Sequence, residues 1–501
     1  MQVPIRLQAE AGSTLQQQLF EEFVRQIGSG RLKPGMRVPA TRQLAAELGV
    51  SRNTVAFAYE RLTAEGFFEA RPPQGTFVTT LGVQPLGARA ALPPAAPQPP
   101  APQSPAPSGE RHRPPFRGRM HALESPRAAD GSRPPFDFWV GRPDPRLFPA
   151  RTARKLIEHA LAAMQSDDGT YGDPAGLLRL RRAVAAHLGA TRGIVCSADD
   201  VIVTNGIQEG INIVARLLLR GGDGVGMEAP GYAGAAHVFA SHDARVLPVP
   251  VDAEGAVPGT LPPEVRLMYL TPAHQYPSGV PLSPPRRRAW MDWARRGGGY
   301  LIEDDYDSDF WYDSAPLPAL KADDPADQVI YLGTFSKNLA ASLRLGYMVV
   351  PAELRCDAVT VKGLLTNGSS WLIQAAMAAF VDDGGFLHHL RRLRKHYAQR
   401  RDALAAALAC RLGVAGLQGA HAGLHVLWQA APALPPALEI ERRARMHGVG
   451  VYSLHSGNAW CGDAAIAQRW ERALMLGYAA LDEREIDAGV ERLALALQPL
   501  G

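Results

Sequence analysis

The stretch Gly333-Thr-Phe-Ser-Lys-Asn-Leu-Ala-Ala-Ser-Leu-Arg344 decides the reading of this 501-residue chain. It follows an apolar run, Val329-Ile-Tyr-Leu332, and an earlier run, Tyr300-Leu-Ile302, leads into the acidic sequence Glu303-Asp-Asp-Tyr-Asp307. A lysine just beyond one strand and a carboxylate at the end of another form a chemical pair. Schiff-base chemistry needs an amine to hold an aldehyde, and a carboxylate that keeps the aldehyde's ring protonated as an electron sink. Thr334, Ser336 and Arg344 add two hydroxyls and a guanidinium suited to a phosphate. A polar surface turn is the ordinary place for a Ser-Lys pair, but the ordered set of acidic strand end, Tyr306, hydroxyl-flanked lysine and Arg344 outweighs it. Lys337 is therefore read as the Schiff-base lysine of a pyridoxal-phosphate site.

Around this stretch, apolar strand-like runs alternate with helical patterns: Val201-Ile-Val203, a helix from Glu209 to Leu219, Gly224-Val-Gly-Met227, Leu267-Met-Tyr-Leu270, and a helix around Trp290 and Trp293. The alternation predicts an α/β body with a mainly parallel sheet covered by helices and ligands at the strand ends. Beyond about Gly346 long helices (Trp371 to Phe380, Phe386 to Ala409) with a few strands predict a smaller C-terminal α+β lobe. The turn Thr204-Asn-Gly-Ile-Gln-Glu209 opens a helix directly after a strand, so the backbone N–H groups of Gly206, Ile207 and Gln208 are the expected phosphate cradle.

The first eighty residues have a different pattern. Leu15, Leu19, Phe23 and Ile27 recur at helical spacing behind Ser13 or Thr14 as N-cap, and Gly28-Ser-Gly30 ends that helix. A second helix starts near Thr41, carries Leu44 and Leu48, and stops at Gly49; a third opens at Ser51 and puts Val55, Tyr59 and Leu62 on one face. Arg52 and Asn53 then fall in its first turn, where a recognition helix meets base edges. Arg71-Pro-Pro-Gln-Gly75 before Thr76-Phe-Val78 predicts a short hairpin, the wing of a winged helix.

Between the two patterns, Pro85 to Pro135 holds fourteen of the chain's 42 prolines, mixed with Ala, Gln, Ser and Arg. Such a segment buries too little apolar surface to offset its ordering entropy and reads as a linker. The domains expected are thus 1–80, a linker at 81–135, and a body at 136–501. A net charge of +4 permits nucleic-acid contact without requiring it. Cys196, Cys356, Cys410 and Cys461 lack metal-ligand spacing, so no metal centre is expected and the thiols read as reduced, in a cytoplasmic protein. No apolar run is long enough for a membrane span.

From roughly Phe136 the chain resembles fold type I pyridoxal-phosphate enzymes of the aminotransferase class. Pro39-Ala-Thr-Arg42, Leu48-Gly-Val-Ser-Arg-Asn-Thr-Val55 and Tyr59-Glu-Arg-Leu-Thr-Ala-Glu-Gly66 resemble a GntR-type winged helix. The combination is similar to the MocR-like regulators, transcription factors that carry an aminotransferase-like sensor. That resemblance implies promoter DNA as partner, contacted by Arg42, Ser51, Arg52, Asn53 and Thr54, with Gln74 and Gly75 in the wing. It also implies Asp304 on the pyridine nitrogen, Tyr306 on the phenolic oxygen and Tyr232 stacked on the ring. Thr271-Pro-Ala-His-Gln-Tyr-Pro-Ser-Gly279 matches the family's H-Q-x-P-x-G loop. Tyr276 stands where aminotransferases keep an asparagine, which leaves His274 and Gln275 as candidate substitutes. Tyr171 matches a tyrosine that reaches the neighbouring subunit's phosphate, implying a head-to-tail homodimer. Two departures bear on mechanism: the late-strand arginine that grips a substrate carboxylate is represented only by Arg472, with His455 as another pocket candidate, and a second arginine found in one branch is Gly234. The resulting expectation is a regulator sensing the cofactor, an amino compound, or both, through an aldimine at Lys337. The rival is a working aminotransferase with an accessory DNA-binding domain.

Overall fold

The computed structural model describes residues 5, 14–79, 133–165, 170–313, 316–414 and 416–498, which fall into two compact units within residues 1–111 and 112–501. Most of the expected linker, 81–132, lies outside the described residues.

In the first unit, helix α1 (Leu15–Gly28) is capped by Thr14, whose hydroxyl accepts from the Gln17 amide. Helix α2 (Thr41–Leu48) ends on Gly49 at φ 68°, a left-handed cap that costs glycine no side-chain clash. Helix α3 (Arg52–Ala64) starts at Ser51, whose Oγ accepts from the Thr54 amide at 3.1 Å. The hairpin β1 (Phe68–Arg71) and β2 (Gly75–Val78) pairs antiparallel from Phe68↔Val78 to Arg71↔Gly75. Leu19, Phe23, Leu44, Val55, Tyr59, Leu62, Phe68 and Val78 form the core. Phe23, Tyr59 and Phe68 meet edge to face with centroids 5.2–5.6 Å apart, and the buried Tyr59 hydroxyl donates to the Pro39 carbonyl at 2.9 Å. That bond ties the residue preceding the α2 cap to the middle of α3, fixing the angle at which the two helices meet.

The second unit runs β3 (Phe136–Asp137), α4 (Ala150–Ala162), α5 (Leu178–Arg192), β4 (Val201–Thr204), α6 (Ile207–Leu218), β5 (Gly224–Ala229), β6 (Gly231–Tyr232), α7 (Ala233–Ser241), β7 (Arg245–Asp252), β8 (Gly255–Ala256), β9 (Leu267–Leu270), α8 (Pro284–Gly297), β10 (Tyr300–Asp305), β11 (Val329–Thr334) and β12 (Gly346–Val349). Eight of these strands form one sheet in the order β4-β12-β11-β10-β9-β5-β7-β8. The run β11-β10-β9-β5-β7 is parallel, whereas β12 lies antiparallel between β11 and β4. The C-terminal ends of β4, β5, β9, β10 and β11 therefore reach the same edge, where such sheets bind ligands. Strands β10 and β11 are buried along nearly their whole length, so β10 carries its acidic end, Glu303-Asp304-Asp305, inside the protein rather than in a surface turn.

The chain continues through α9 (Arg355–Thr366), α10 (Trp371–Asp382), α11 (Gly385–Leu412), β13 (His425–Gln429), α12 (Ala437–Met446), β14 (Val449–Gly450), β15 (Tyr452–Ser453), β16 (Ala459–Trp460), α13 (Ala464–Arg469), β17 (Ala473–Gly477) and α14 (Glu483–Ala496). Strands β13, β17 and β15 form a second sheet, whose core with α11, α12 and α14 includes Tyr397, Leu404, Val426, Leu474, Ile486 and Leu493. This is the α+β lobe expected from the sequence.

Candidate functional site

A cavity of about 400 Å³ opens at that strand edge, and Lys337, Asp304, Tyr306, Tyr232, Ile207, Gln208, Thr334, Ser336 and Arg344 all line it. Lys337 lies three residues beyond the end of β11, and its Nζ donates to the Gly141 carbonyl at 2.8 Å. Burial lowers its pKa from the ordinary value, opposed by Asp307 and Asp304. A larger neutral fraction makes the amine a better nucleophile. Asp304 accepts from the Tyr269 hydroxyl through Oδ2, while its buried Oδ1 has no partner. Burial, opposed by the Tyr269 bond, pushes its carboxyl up to about 7. Its neighbours in β10 point elsewhere: Glu303 accepts from the Leu320 and Lys321 amides, and Asp305 pairs with Arg192 at 2.7 Å. The alternation of a strand thus delivers one carboxylate of the three to the cavity.

On the opposite side, Gly206 (φ 91°) caps α6, and the Arg344 Nη2 donates to the Asn205 carbonyl at 2.6 Å. A Cβ on Gly206 would lie 2.9 Å from Arg344 Nη2, so both the backbone angle and the guanidinium require glycine. The free N–H groups of the α6 N-terminus, the Thr334 and Ser336 hydroxyls and Arg344 together make an anion cradle. Tyr232 accepts from Gln208 Nε2 at 2.8 Å, which fixes its ring beside the same cradle.

His274 does not line the cavity. It lies one layer behind, with Nδ1 3.1 Å from the Tyr306 hydroxyl and 3.0 Å from Asp307 Oδ2, and Nε2 3.3 Å from the Gly419 carbonyl. Burial opposes its charge, yet Asp307 holds its pKa above the ordinary value. Gln275 is turned away too, donating to the Pro230 carbonyl at 2.8 Å. Tyr276 itself occupies the cavity wall in their stead, anchored by its hydroxyl to the Gly457 carbonyl at 2.6 Å. The expectation for Arg472 is corrected: it lies outside the cavity, with its guanidinium donating to the carbonyls of Ala431, Pro432, Leu434 and Pro435. His455 is exposed and does not line the cavity, whereas Gly457 and Asn458 do. Gly234 packs against the Gln208–Tyr232 pair: a Cβ there would lie 2.2 Å from Gln208 Nε2, so any side chain at this position would displace that hydrogen-bonded pair. Tyr171 is 85% exposed and outside its own chain's cavity.

Sequence reasoning did not single out Tyr269, His425, Trp139, Gly141, Arg142 or Asn458, all of which line the cavity. Tyr269 carried a readable signal: it is the polar-tipped residue in an otherwise apolar run, and β9 pairs directly with β10 at Ile302↔Tyr269. His425 is buried, its pKa pushed down to about 4 by burial and His274, so it is a neutral group at pH 7. His274, Asp307 and His425 bring three ligand atoms within 4.8 Å of one another, with the first two hydrogen-bonded to each other.

In the first unit Arg42, Ser51, Arg52, Asn53 and Gln74 are on the surface, and Thr54 and Gly75 partly so. The Ser51 and Thr54 hydroxyls lie 2.8 Å apart, so both serve the α3 cap, whose removal costs about 1 kcal/mol. Gly75 adopts φ 118° against Arg37 at the wing turn.

Asp304 yields a prediction that needs no ligand. With its carboxyl raised to about 7, the folded cofactor-free protein holds a proton there that the unfolded chain loses near pH 4. Stability from this group is therefore complete below about pH 4 and falls as pH rises towards 7. Asp304→Asn removes the titration, and the cofactor-free variant should gain about 2–3 kcal/mol on wild type between pH 5 and pH 8. Thermal melts at the two pH values read this directly; equal pH dependence in both proteins would show that another group dominates.

Known proteins share both units. Residues 15–78 match the family model described as bacterial regulatory proteins, gntR family, and residues 143–493 match that of aminotransferase class I and II. The chain is 33% identical to the probable rhizopine catabolism regulatory protein MocR of Rhizobium meliloti, over 99% of this chain and 96% of that one. It is 32% identical to the uncharacterized HTH-type transcriptional regulator YhdI of Bacillus subtilis, over 99% and 98% respectively. Among solved structures, LysN of Thermus thermophilus, an α-aminoadipate aminotransferase complexed with N-(5'-phosphopyridoxyl)-L-leucine, superposes with a TM-score of 0.64 at 28% identity, covering 72% of this chain and 92% of that one.

Proposed function

The chain belongs to the MocR-like regulators of the GntR family, and on that premise we propose that its aminotransferase-like body senses pyridoxal phosphate, an amino compound, or both, at Lys337. It is a transcriptional regulator, and pyridoxal phosphate is its cofactor. The observation that carries the sensing proposal is the cavity's residue set, standing on one chain with a winged helix. The unpartnered Asp304 Oδ1 and the glycine-lined anion cradle fit the two ends of that cofactor.

When bound, the cofactor supplies an aldehyde that bonds reversibly to a primary amine and a ring that withdraws electrons from it. Lys337 would hold the aldehyde. Asp304 would face the ring nitrogen and keep it protonated, each charge stabilising the other. Tyr306 and Tyr276 would face the ring oxygen, Tyr232 would cover the ring, and Gly206, Ile207, Gln208, Thr334, Ser336 and Arg344 would hold the phosphate. His274 would act through Tyr306, orienting the hydroxyl. A primary amine entering the cavity would compete with Lys337 for the aldehyde, and the Lys337 side chain would then be free to move. If two arrangements of the body differ in affinity for that amine, their populations shift by the difference.

The domain bounds proposed are 1–80 for the winged helix, 81–135 for the linker and 136–501 for the body, in the cytoplasm. Double-stranded promoter DNA is the proposed partner of residues 1–80. A head-to-tail homodimer is supported by Tyr171 together with Leu161 and Met164, apolar or aromatic side chains 47–85% exposed in the single chain.

The test measures binding of labelled promoter DNA by cofactor-free protein, then with pyridoxal phosphate alone, then with amines added. A change with cofactor alone indicates vitamin sensing; a change only with an amine indicates effector sensing. If neither alters DNA affinity, the sensor reading fails. Sustained keto-acid production unaffected by deleting residues 1–80 would favour the aminotransferase reading instead.

A further inference from the structure

Once Asp304, Lys337 and Arg344 are given to the cofactor, the charged side chains left among the described residues lining the cavity are Arg133 and Arg142. Both are cations. Asp304 is the one carboxylate in that lining, and it is already engaged. Arg133 leaves a positive charge on the free side of the cavity, and Arg142, though ion-paired with Asp137 at 2.9 Å, keeps N–H donors to offer, so that side suits an acidic, acceptor-rich group.

The two arginines differ in preparation. Arg133 is exposed, and no anchor among the described residues holds its guanidinium. Arg142 is fixed: its Nη1 donates to Asp137 Oδ2 at 2.9 Å and its Nη2 to the Asp137 carbonyl at 3.1 Å. Asp137 is 2% exposed, comes from β3, and also accepts from the buried Tyr452 hydroxyl. Two of the five guanidinium N–H groups are thereby used from behind, which leaves Nε–H and one hydrogen on each Nη for a ligand. A fork held this way meets a planar acid at a smaller ordering cost than a free side chain.

Its place in the chain matters as much. Lys337 Nζ donates to the carbonyl of Gly141, the residue immediately before Arg142. An amine that took the place of Lys337 would lie against the same peptide unit that carries the guanidinium. Neither position at which the family resemblance places an acid-binding arginine supplies one to this cavity: Arg472 is held outside it by four carbonyls, and the other position is Gly234.

We propose that Arg142, positioned by Asp137 and Tyr452, is the residue of this site that receives the acid group of an amine effector. This rests on the amine-sensing reading of Lys337.

The test uses full-length protein loaded with pyridoxal phosphate. It is titrated with β-alanine, 4-aminobutanoate and 2-aminoethanesulfonate, and with ethylamine and propylamine as chain-matched neutral amines. The readouts are the visible band of the bound cofactor and the affinity for promoter DNA. The acidic amines should reach half-effect at concentrations about 10-fold or more below their neutral counterparts, and Arg142→Gln should raise those concentrations by about 10- to 100-fold while moving the neutral amines little. Arg142→Lys keeps the charge without the fork and should fall between; it also serves if the glutamine variant fails to fold. Equal response of wild type to acidic and neutral amines would overturn the proposal while leaving amine sensing intact, as would an Arg142→Gln protein that keeps the preference. If no amine of either kind alters the band, amine sensing itself fails and the receptor with it.

Discussion

Lys337→Ala, purified and supplied with pyridoxal phosphate, should show no visible band of a lysine-bound cofactor and should retain the free vitamin at least about 100-fold less tightly, a loss of roughly 3 kcal/mol or more. Lys337 is the one primary amine lining the cavity among the described residues. Lys362 is no substitute: it is fully buried, bonded to Glu209 at 2.7 Å and further held by Thr366 and Ser369. The fold should survive. Lys337 makes a single hydrogen bond, to Gly141, and removing an amine that burial already disfavours as a cation should change stability by no more than about 1 kcal/mol. The anion cradle also remains, so weak cofactor binding without colour is compatible with the assignment. A variant that keeps the visible band would assign the chemistry to another amine. A variant that loses the band yet still changes its DNA affinity normally on adding cofactor would show that the lysine is not the sensing element.

The parts of this site that sequence made legible are those whose chemistry is local. Lys337, Asp304 and Arg344 each stand at the end of a strand or in a turn where residue type and position announce a role, and the cavity gathers all three. Tertiary context decided the parts that were misplaced. Arg472 precedes β17 as expected, but carbonyls of the 431–435 turn surround it, and nothing in the local sequence tells an arginine that caps a turn from one that enters a pocket. His274 and Tyr276 lie two residues apart in one loop, and which of them reached the cavity was decided by the partners of His274, namely Asp307 and Gly419, the latter 145 residues away. Strand β7, Arg-Val-Leu-Pro-Val-Pro-Val-Asp, was hidden for a different reason: prolines argue against a strand. Pro248 and Pro250 share one parity, so their missing N–H groups face one edge. That edge is tolerant, because β8 covers only Val251 and Asp252 of it while β5 pairs the other side from Arg245 to Pro250.

In the winged helix, Arg52→Ala should weaken promoter binding by about 1–3 kcal/mol per site if its guanidinium reads a base. Two subunits on a repeated operator would each forgo that interaction, which brings the total to about 2–6 kcal/mol for a dimer. Arg52 opens α3 directly after its Ser51 cap and is exposed. The α3 core residues Val55, Tyr59 and Leu62 are buried, whereas Arg52 at the first position of the helix is exposed, so the substitution removes a guanidinium without opening the core. Arg42 is the comparison. It stands in the first turn of α2, at the surface, where a helix preceding the recognition helix crosses the backbone rather than the bases. Arg42→Ala should therefore weaken binding about equally across sequences and lower the slope of log affinity against log salt by about 1 for each phosphate left unneutralised. Affinity for the promoter and for scrambled DNA, each measured at several salt concentrations, separates the two roles. If Arg52→Ala lowers only the salt slope and leaves the ratio of specific to scrambled binding unchanged, Arg52 grips phosphate and the base-reading role passes to Asn53. If neither arginine matters to either DNA, α3 does not lie in the groove.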